Sequence, residues 1–152
     1  MRRHWVVVLT ALAVAVAVAL PAVAAKKPTP EYDRLAWLIG SDEAPTTGDP
    51  DGHGAADFRI KGNRVCFRII AEDISQVQAA HIHKAPVGQA GDIVVDLFSF
   101  KGKNQTVPPR ISGCAKTTAK IAKDIAKNPD DYYVNVHNAD FPGGALRGQI
   151  SK

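Results

Sequence analysis

From Arg64 to Ile70 the chain alternates. Val65, Phe67 and Ile69 fall on one side, and Arg64, Cys66, Arg68 and Ile70 fall on the other. An extended strand gathers residues at period two on one face, which a helix does not, so this segment is read as a half-buried β-strand. Apolar runs of similar length recur at Leu35–Ile39, Ala55–Lys61, Val77–His83, Asp92–Phe98, Tyr132–His137 and Ala145–Ile150. Turn chemistry separates them. Gly62-Asn63 between two runs is a hairpin signal, and GDPDGHG at 48–54 is loop throughout. About seven short strands with such spacing predict an all-β fold, an antiparallel sandwich or barrel. One segment departs from the pattern. In TTAKIAKDIAKNPDD, Ile121 and Ile125 are four apart, a threonine at 117 or 118 can cap the start, and Asn128-Pro129 stops the run. A short helix is expected near 118–127, with Lys120, Lys123 and Lys127 on its solvated face.

The beginning of the chain has a different character. Arg2 and Arg3 precede an apolar run from Trp5 to Leu20, Pro21 breaks it, and Ala22-Val23-Ala24 has the small-x-small pattern of signal peptidase sites. Residues 1–25 are therefore read as a signal peptide cleaved after Ala24 or Ala25, and an uncleaved anchor is the competing reading. Residues 26–34 read as an exposed leader and 35–151 as one domain. Removing the first 25 of 152 residues leaves 127, a single-domain length. Without Arg2 and Arg3 the 19 basic residues fall to 17 against 15 acids, a mature charge of about +2. Basic residues are dispersed, with no run beyond Lys26-Lys27, so nucleic acid is not an expected partner. The expected location is secreted or periplasmic, with no membrane span after cleavage. A partner would be an extracellular or envelope protein.

Cys66 and Cys114 are the two cysteines of the chain. In an oxidising compartment one disulfide is their simplest use; buried thiols and a redox pair are the alternatives, the latter lacking C-x-x-C spacing.

The chemistry-bearing residues cluster in AAHIHKAPVGQAGDIVVDLF, residues 79–98. On a strand His81 and His83 project from one face about 7 Å apart, so two imidazoles can lean toward one ion. His137 ends YYVNVH, where it shares a face with Tyr133 and Asn135, and His53 in the glycine loop is the remaining mature histidine. Imidazole suits copper and zinc, so His81, His83 and His137, with His53 as a fourth candidate, form a tentative metal set. The competing reading is structural: histidines at strand ends that bond backbone carbonyls and hold loops. In FPGGALRGQI, Arg147 faces away from Leu146 and Ile150, which places it beside His137 across a hairpin. Its fork suits a carboxylate, with Asp92, Asp96 and Asp140 as available partners.

Other motifs carry less. Asp49, Asp51 and Asp57 mimic a calcium loop, but an EF-hand needs further acids where His53 and Ile60 stand, so a turn is expected. Asn104-Gln105-Thr106 is a glycosylation sequon, relevant in a eukaryotic secretory host. No nucleophile sits in a recognisable elbow, and no catalytic constellation is found.

Taken together, LIGSDEAPTTGDPDGHGAADFRI, VCFRI, AAHIHKAPVGQAGDIVVDLF, GCA and the IAKNPDDYYVNVHNADFPGGALRGQI that ends the helix and the chain resemble the CHRD domain. That family is named for repeats in chordin and occurs singly in many exported bacterial proteins. The resemblance runs from about Leu35 to Ile150. It implies an immunoglobulin-like β-sandwich, distantly similar to copper/zinc superoxide dismutases, and no established activity. The family's motif histidines fall on His81, His83 and His137 and its motif arginine on Arg147. Dismutases also need a bridging histidine and a zinc loop rich in histidine and aspartate. Lys84 to Gly91 contains neither residue type, so dismutase chemistry is not expected. The leading expectation is a noncatalytic binding or structural module; the alternative is a copper- or zinc-binding protein.

Overall fold

A computed structural model describes residues 32–100 and 110–152. The signal segment, most of the leader and the sequon at Asn104 lie outside the described residues. The elements are β1 (Arg34–Ile39), β2 (His53–Lys61), β3 (Arg64–Glu72), β4 (Val77–Lys84), β5 (Ile93–Ser99), β6 (Arg110–Lys116), α1 (Ala119–Lys127), β7 (Tyr132–Asn138) and β8 (Leu146–Gln149). Among the described residues the strands form one eight-stranded sheet in the order β5-β4-β7-β8-β1-β2-β3-β6, antiparallel at every pairing. The end strands β5 and β6 approach each other, so the sheet curls into a nearly closed all-β barrel. Among the described residues no helix is long and apolar enough to cross a membrane.

Alternation decides which side chains go inside. Leu38, Phe58, Val65, Phe67, Ile69, Ile82, Val134, Val136 and Leu146 fill the interior, and their sequence neighbours line the outer surface. Gly62, at φ +63°, makes the β2–β3 turn, a backbone region that costs glycine little. Helix α1 is capped by Thr118, whose side chain accepts the Ile121 amide at 3.1 Å, and it buries Ala122 and Ile125. Asp124 ties the helix down, accepting from Lys84 Nζ at 2.8 Å and from Tyr132 Oη at 2.5 Å. Lys120, Lys123 and Lys127 are exposed, as a solvated face requires.

Seven of the eight strands follow the sequence reading within a residue or two at most ends. The eighth, β6, was not expected from the pattern. Its inward positions are Ile111, Gly113 and Ala115, because the Phe67 ring occupies the space where a Gly113 side chain would go, 3.0 Å from a built Cβ. Two small residues out of three leave little hydrophobic signal to read. Cys66 and Cys114 are directly opposed on β3 and β6 and form a disulfide.

Candidate metal centre

The site lies on the outer surface of the barrel, on β4, β7 and β8. Register sets its rows: His83 is beside Tyr133 and then Gln149, and His81 is beside Asn135 and then Arg147. His137 comes from β7 opposite Ala79, one step along from His81. Two loops fold over this face. The β4–β5 loop covers the His83 end, and the β1–β2 loop brings Glu43 against Asn135.

Three imidazoles converge here. Each of His81, His83 and His137 offers one ring nitrogen, and these atoms all lie within 4.8 Å of one another. His81 Nδ1 and His137 Nε2 are 3.0 Å apart. The remaining nitrogens fix the tautomers, because a carbonyl can only accept. His83 Nδ1 donates to Gly91 O at 2.8 Å, and His137 Nδ1 donates to Pro142 O at 3.0 Å. Nε2 of His83 and of His137 therefore carries a lone pair. His137 Nε2 accepts from His81 Nδ1, whereas His83 Nε2 is buried with no hydrogen-bond partner. His81 Nε2 lies 3.8 Å from Asp96 Oδ1, the carboxylate directly across on β5. His83 and His137 thus each have a carbonyl behind them, the arrangement that orients metal-binding histidines, while Asp96 lies near His81 but beyond hydrogen-bond distance.

The donor set fits a copper or zinc ion. Tetrahedral bonds of about 2.0–2.1 Å put ligand nitrogens roughly 3.3 Å apart, so the His81–His137 pair is close to that spacing already. His83 would close the remaining gap of at most about 1.5 Å by side-chain rotation. His81 would offer Nδ1 by holding its proton on Nε2, toward Asp96. Burial pushes all three rings below the ordinary histidine range, His137 to about 4, with the Asp96 charge partly opposing this at His81. They are consequently neutral at pH 7, the ligating form.

The other candidate residues fall as follows. His53 does not join the cluster. It sits on β2, separated from β7 by β8 and β1, and faces Glu72 at 3.5 Å and Asp73 at 3.6 Å. Arg147 stands opposite Asn135, not His137, and it is fully buried. Its expected carboxylate pairing is also corrected, since it makes no salt bridge among the described residues. It donates to Gln89 O at 2.8 Å and Pro86 O at 2.9 Å, and its guanidinium lies 3.5 Å from the Tyr133 ring centroid. A planar fork with several donors suits two loop carbonyls as well as it suits a carboxylate. Asp140 accepts from Ser75 instead, and Asp92 is exposed at the loop's end. Asp49 Oδ1 accepts the amides of Asp51 and Gly52 at 3.2 Å each, the expected turn.

Two residues have roles that the sequence does not announce. Tyr133 stacks on His83 at 4.8 Å and 10°, and its hydroxyl accepts the Gly91 amide at 3.2 Å. Glu43, a lone acid in a loop, is buried and accepts from Asn135 Nδ2. Burial raises its carboxyl to about 7 against the opposing field of Arg147. Glycines at 144 and 48 leave room for Glu43, since a built Cβ would come within 2.5 and 2.9 Å of its side chain, and sequence pattern does not report such contacts.

Fold and site together define an all-β domain that carries a three-histidine cluster on its outer face under two loops. A family model for the CHRD domain matches residues 35–150, and the chain belongs to that family. No curated protein and no solved structure matches it significantly.

Proposed function

We propose that this CHRD domain is an exported, noncatalytic module that binds one copper or zinc ion through His81, His83 and His137. One observation carries the reading: His83 Nε2 is buried and unpartnered beside two other histidine nitrogens. A buried polar atom without a partner costs about 1–3 kcal/mol, and a cation removes that cost. Export is supported by the N-terminal apolar segment and by the Cys66–Cys114 disulfide, which suits an oxidising compartment. A second reading, a binding or structural module whose histidines serve the fold alone, is favoured by the direct His81–His137 hydrogen bond. That bond satisfies two rings without an ion.

Equilibrium dialysis of the mature domain against Zn(II), Cu(II) and Cu(I) separates the two. One equivalent bound more tightly than micromolar is expected for zinc or a copper ion, and His83→Ala should weaken it about 100-fold, within the range for losing one part of a metal site. If no ion binds stoichiometrically below micromolar, the metal reading fails and the structural module stands.

A further inference from the structure

Basic residues that are dispersed along the chain meet on one face. The outer surface of β2, β3 and β6 carries them in register. Lys61 is opposite Arg64, which is opposite Lys116. In the next row Arg59 stands beside Cys66 and Cys114. All four cations are exposed, and none has an ion pair or side-chain hydrogen bond among the described residues. Two acids lie nearby among the described residues and both are engaged by other cations: Asp57 by Arg68 at 2.9 and 2.5 Å, and Asp33, one step along β1 from the Arg34–Phe58 pair, by Arg34 at 3.2 Å. A shallow depression of about 340 Å3 lies between Arg59, Lys61, Arg64 and the two cysteines.

Like charges directly opposed across strands destabilise a sheet, and here the cross-strand row Lys61–Arg64–Lys116 has no ion-paired counter-charge among the described residues. The disulfide joins β3 to β6 in the very next row, which holds these strands in register against that repulsion. An external polyanion would relieve it.

We propose that this face binds an acidic polysaccharide. Neighbouring strands are about 4.8 Å apart and same-face residues about 7 Å apart, so the cations form a grid matched to a linear polymer with anionic groups at short intervals. The patch is flat and its cations are solvated, which suits several anions more than one enclosed phosphate. The aromatic ring beside it, Tyr32, has one face covered by the Arg68 guanidinium, 4.9 Å from the centroid, so among the described residues the patch offers no run of open rings on which nucleic-acid bases would stack. The exposed Trp37 and Ile39 stand on the same sheet face, but they line a separate groove with Ala55 and Ile70, two rows or more from the Arg59 row, and do not interleave with the cations as a bilayer anchor would.

The test uses the mature chain with fluorescent dextran sulfate and polygalacturonate, neutral dextran, and phosphatidylglycerol vesicles. Both acidic polymers should bind, at least about tenfold more weakly at 200 mM than at 50 mM salt, as multiple charge contacts require. Lys61→Gln/Arg64→Gln/Lys116→Gln should lose at least about tenfold in affinity while unfolding at an equal or higher temperature, because the repulsive row is gone. The control Lys120→Gln/Lys123→Gln/Lys127→Gln removes the same charge from α1 and should keep the affinity. Equal loss in the control would reduce the effect to net charge and overturn the proposal. So would unchanged affinity in the strand variant, equal binding of neutral dextran, or preference for the vesicles.

Discussion

Arg147→Met tests whether one buried cation holds the β4–β5 loop over the histidines. Methionine fills a similar volume without the charge. Two hydrogen bonds from the guanidinium, at 2.8 and 2.9 Å, are lost. Their acceptors belong to Pro86 and Gln89, which are exposed, so water can replace the donors and each loss is at the low end, about 1.5 kcal/mol. Contact with the Tyr133 ring adds about 1–2 kcal/mol in a desolvated setting. Relief of burying a guanidinium works in the opposite direction and returns part of this. The net expectation is a loss of about 2–3 kcal/mol, a fall in Tm of roughly 6–15 °C for a domain of this size. Urea and thermal unfolding measure the stability. Amide exchange at Gly91 supplies a local readout, because its N–H bonds Tyr133 Oη and its carbonyl orients His83. Exchange there should accelerate more than in β2 or β3. A variant within 0.5 kcal/mol of wild type (about the scatter of surface substitutions), with unchanged protection at Gly91, would show that desolvation cancels these contacts and refute the latch.

Replacing Cys66 and Cys114 by serine opens a closure spanning 48 positions and should lower stability by up to about 4 kcal/mol, less where the unfolded chain is compact; an unchanged urea midpoint would contradict this. Glu43→Gln should change the pH profile of stability. The folded-state value of about 7 exceeds the ordinary 4.5, so Glu43 supports folding fully below pH 4.5 and loses that support as pH rises through about 7, up to about 3 kcal/mol. The histidines act in the opposite sense. Their lowered values give support that is complete above 6.5 and is lost as pH falls, for His137 toward about 4. The glutamine variant should therefore show a steeper gain of stability from pH 4.5 to 6.5 and no decline near pH 7, measured by urea titration at fixed pH. A profile parallel to wild type would place the Glu43 carboxyl in its ordinary range.

How much of this was legible follows from what each residue contributes to pattern. Val65, Phe67 and Ile69 declare a strand because their large side chains all point inward. Ile111, Gly113 and Ala115 do the same structural work on β6, but Phe67 fills the space and leaves their own signal weak. His81, His83 and His137 converge as period-two reasoning anticipates, since each lies on the outward face of its strand. His53 has the same chemistry and the same outward position, and only the strand order separates it from the others. Sequence displays acids and so points Arg147 to a carboxylate, whereas its actual acceptors are main-chain carbonyls that any residue supplies.

Main-chain anchoring leaves the β4–β5 loop free to vary in sequence. The sheet grips it by backbone atoms: Arg147 holds Pro86 O and Gln89 O, Gln149 holds Ala85 O, His83 holds Gly91 O, and Tyr133 holds the Gly91 amide. The side chains of Val87, Gln89 and Ala90 point to solvent and hold nothing in place. Positions 87, 89 and 90 can therefore be diversified, in nature or in a designed library, while the histidines beneath keep their geometry. The roof over the site is a place where new binding preferences can be written without rebuilding its floor.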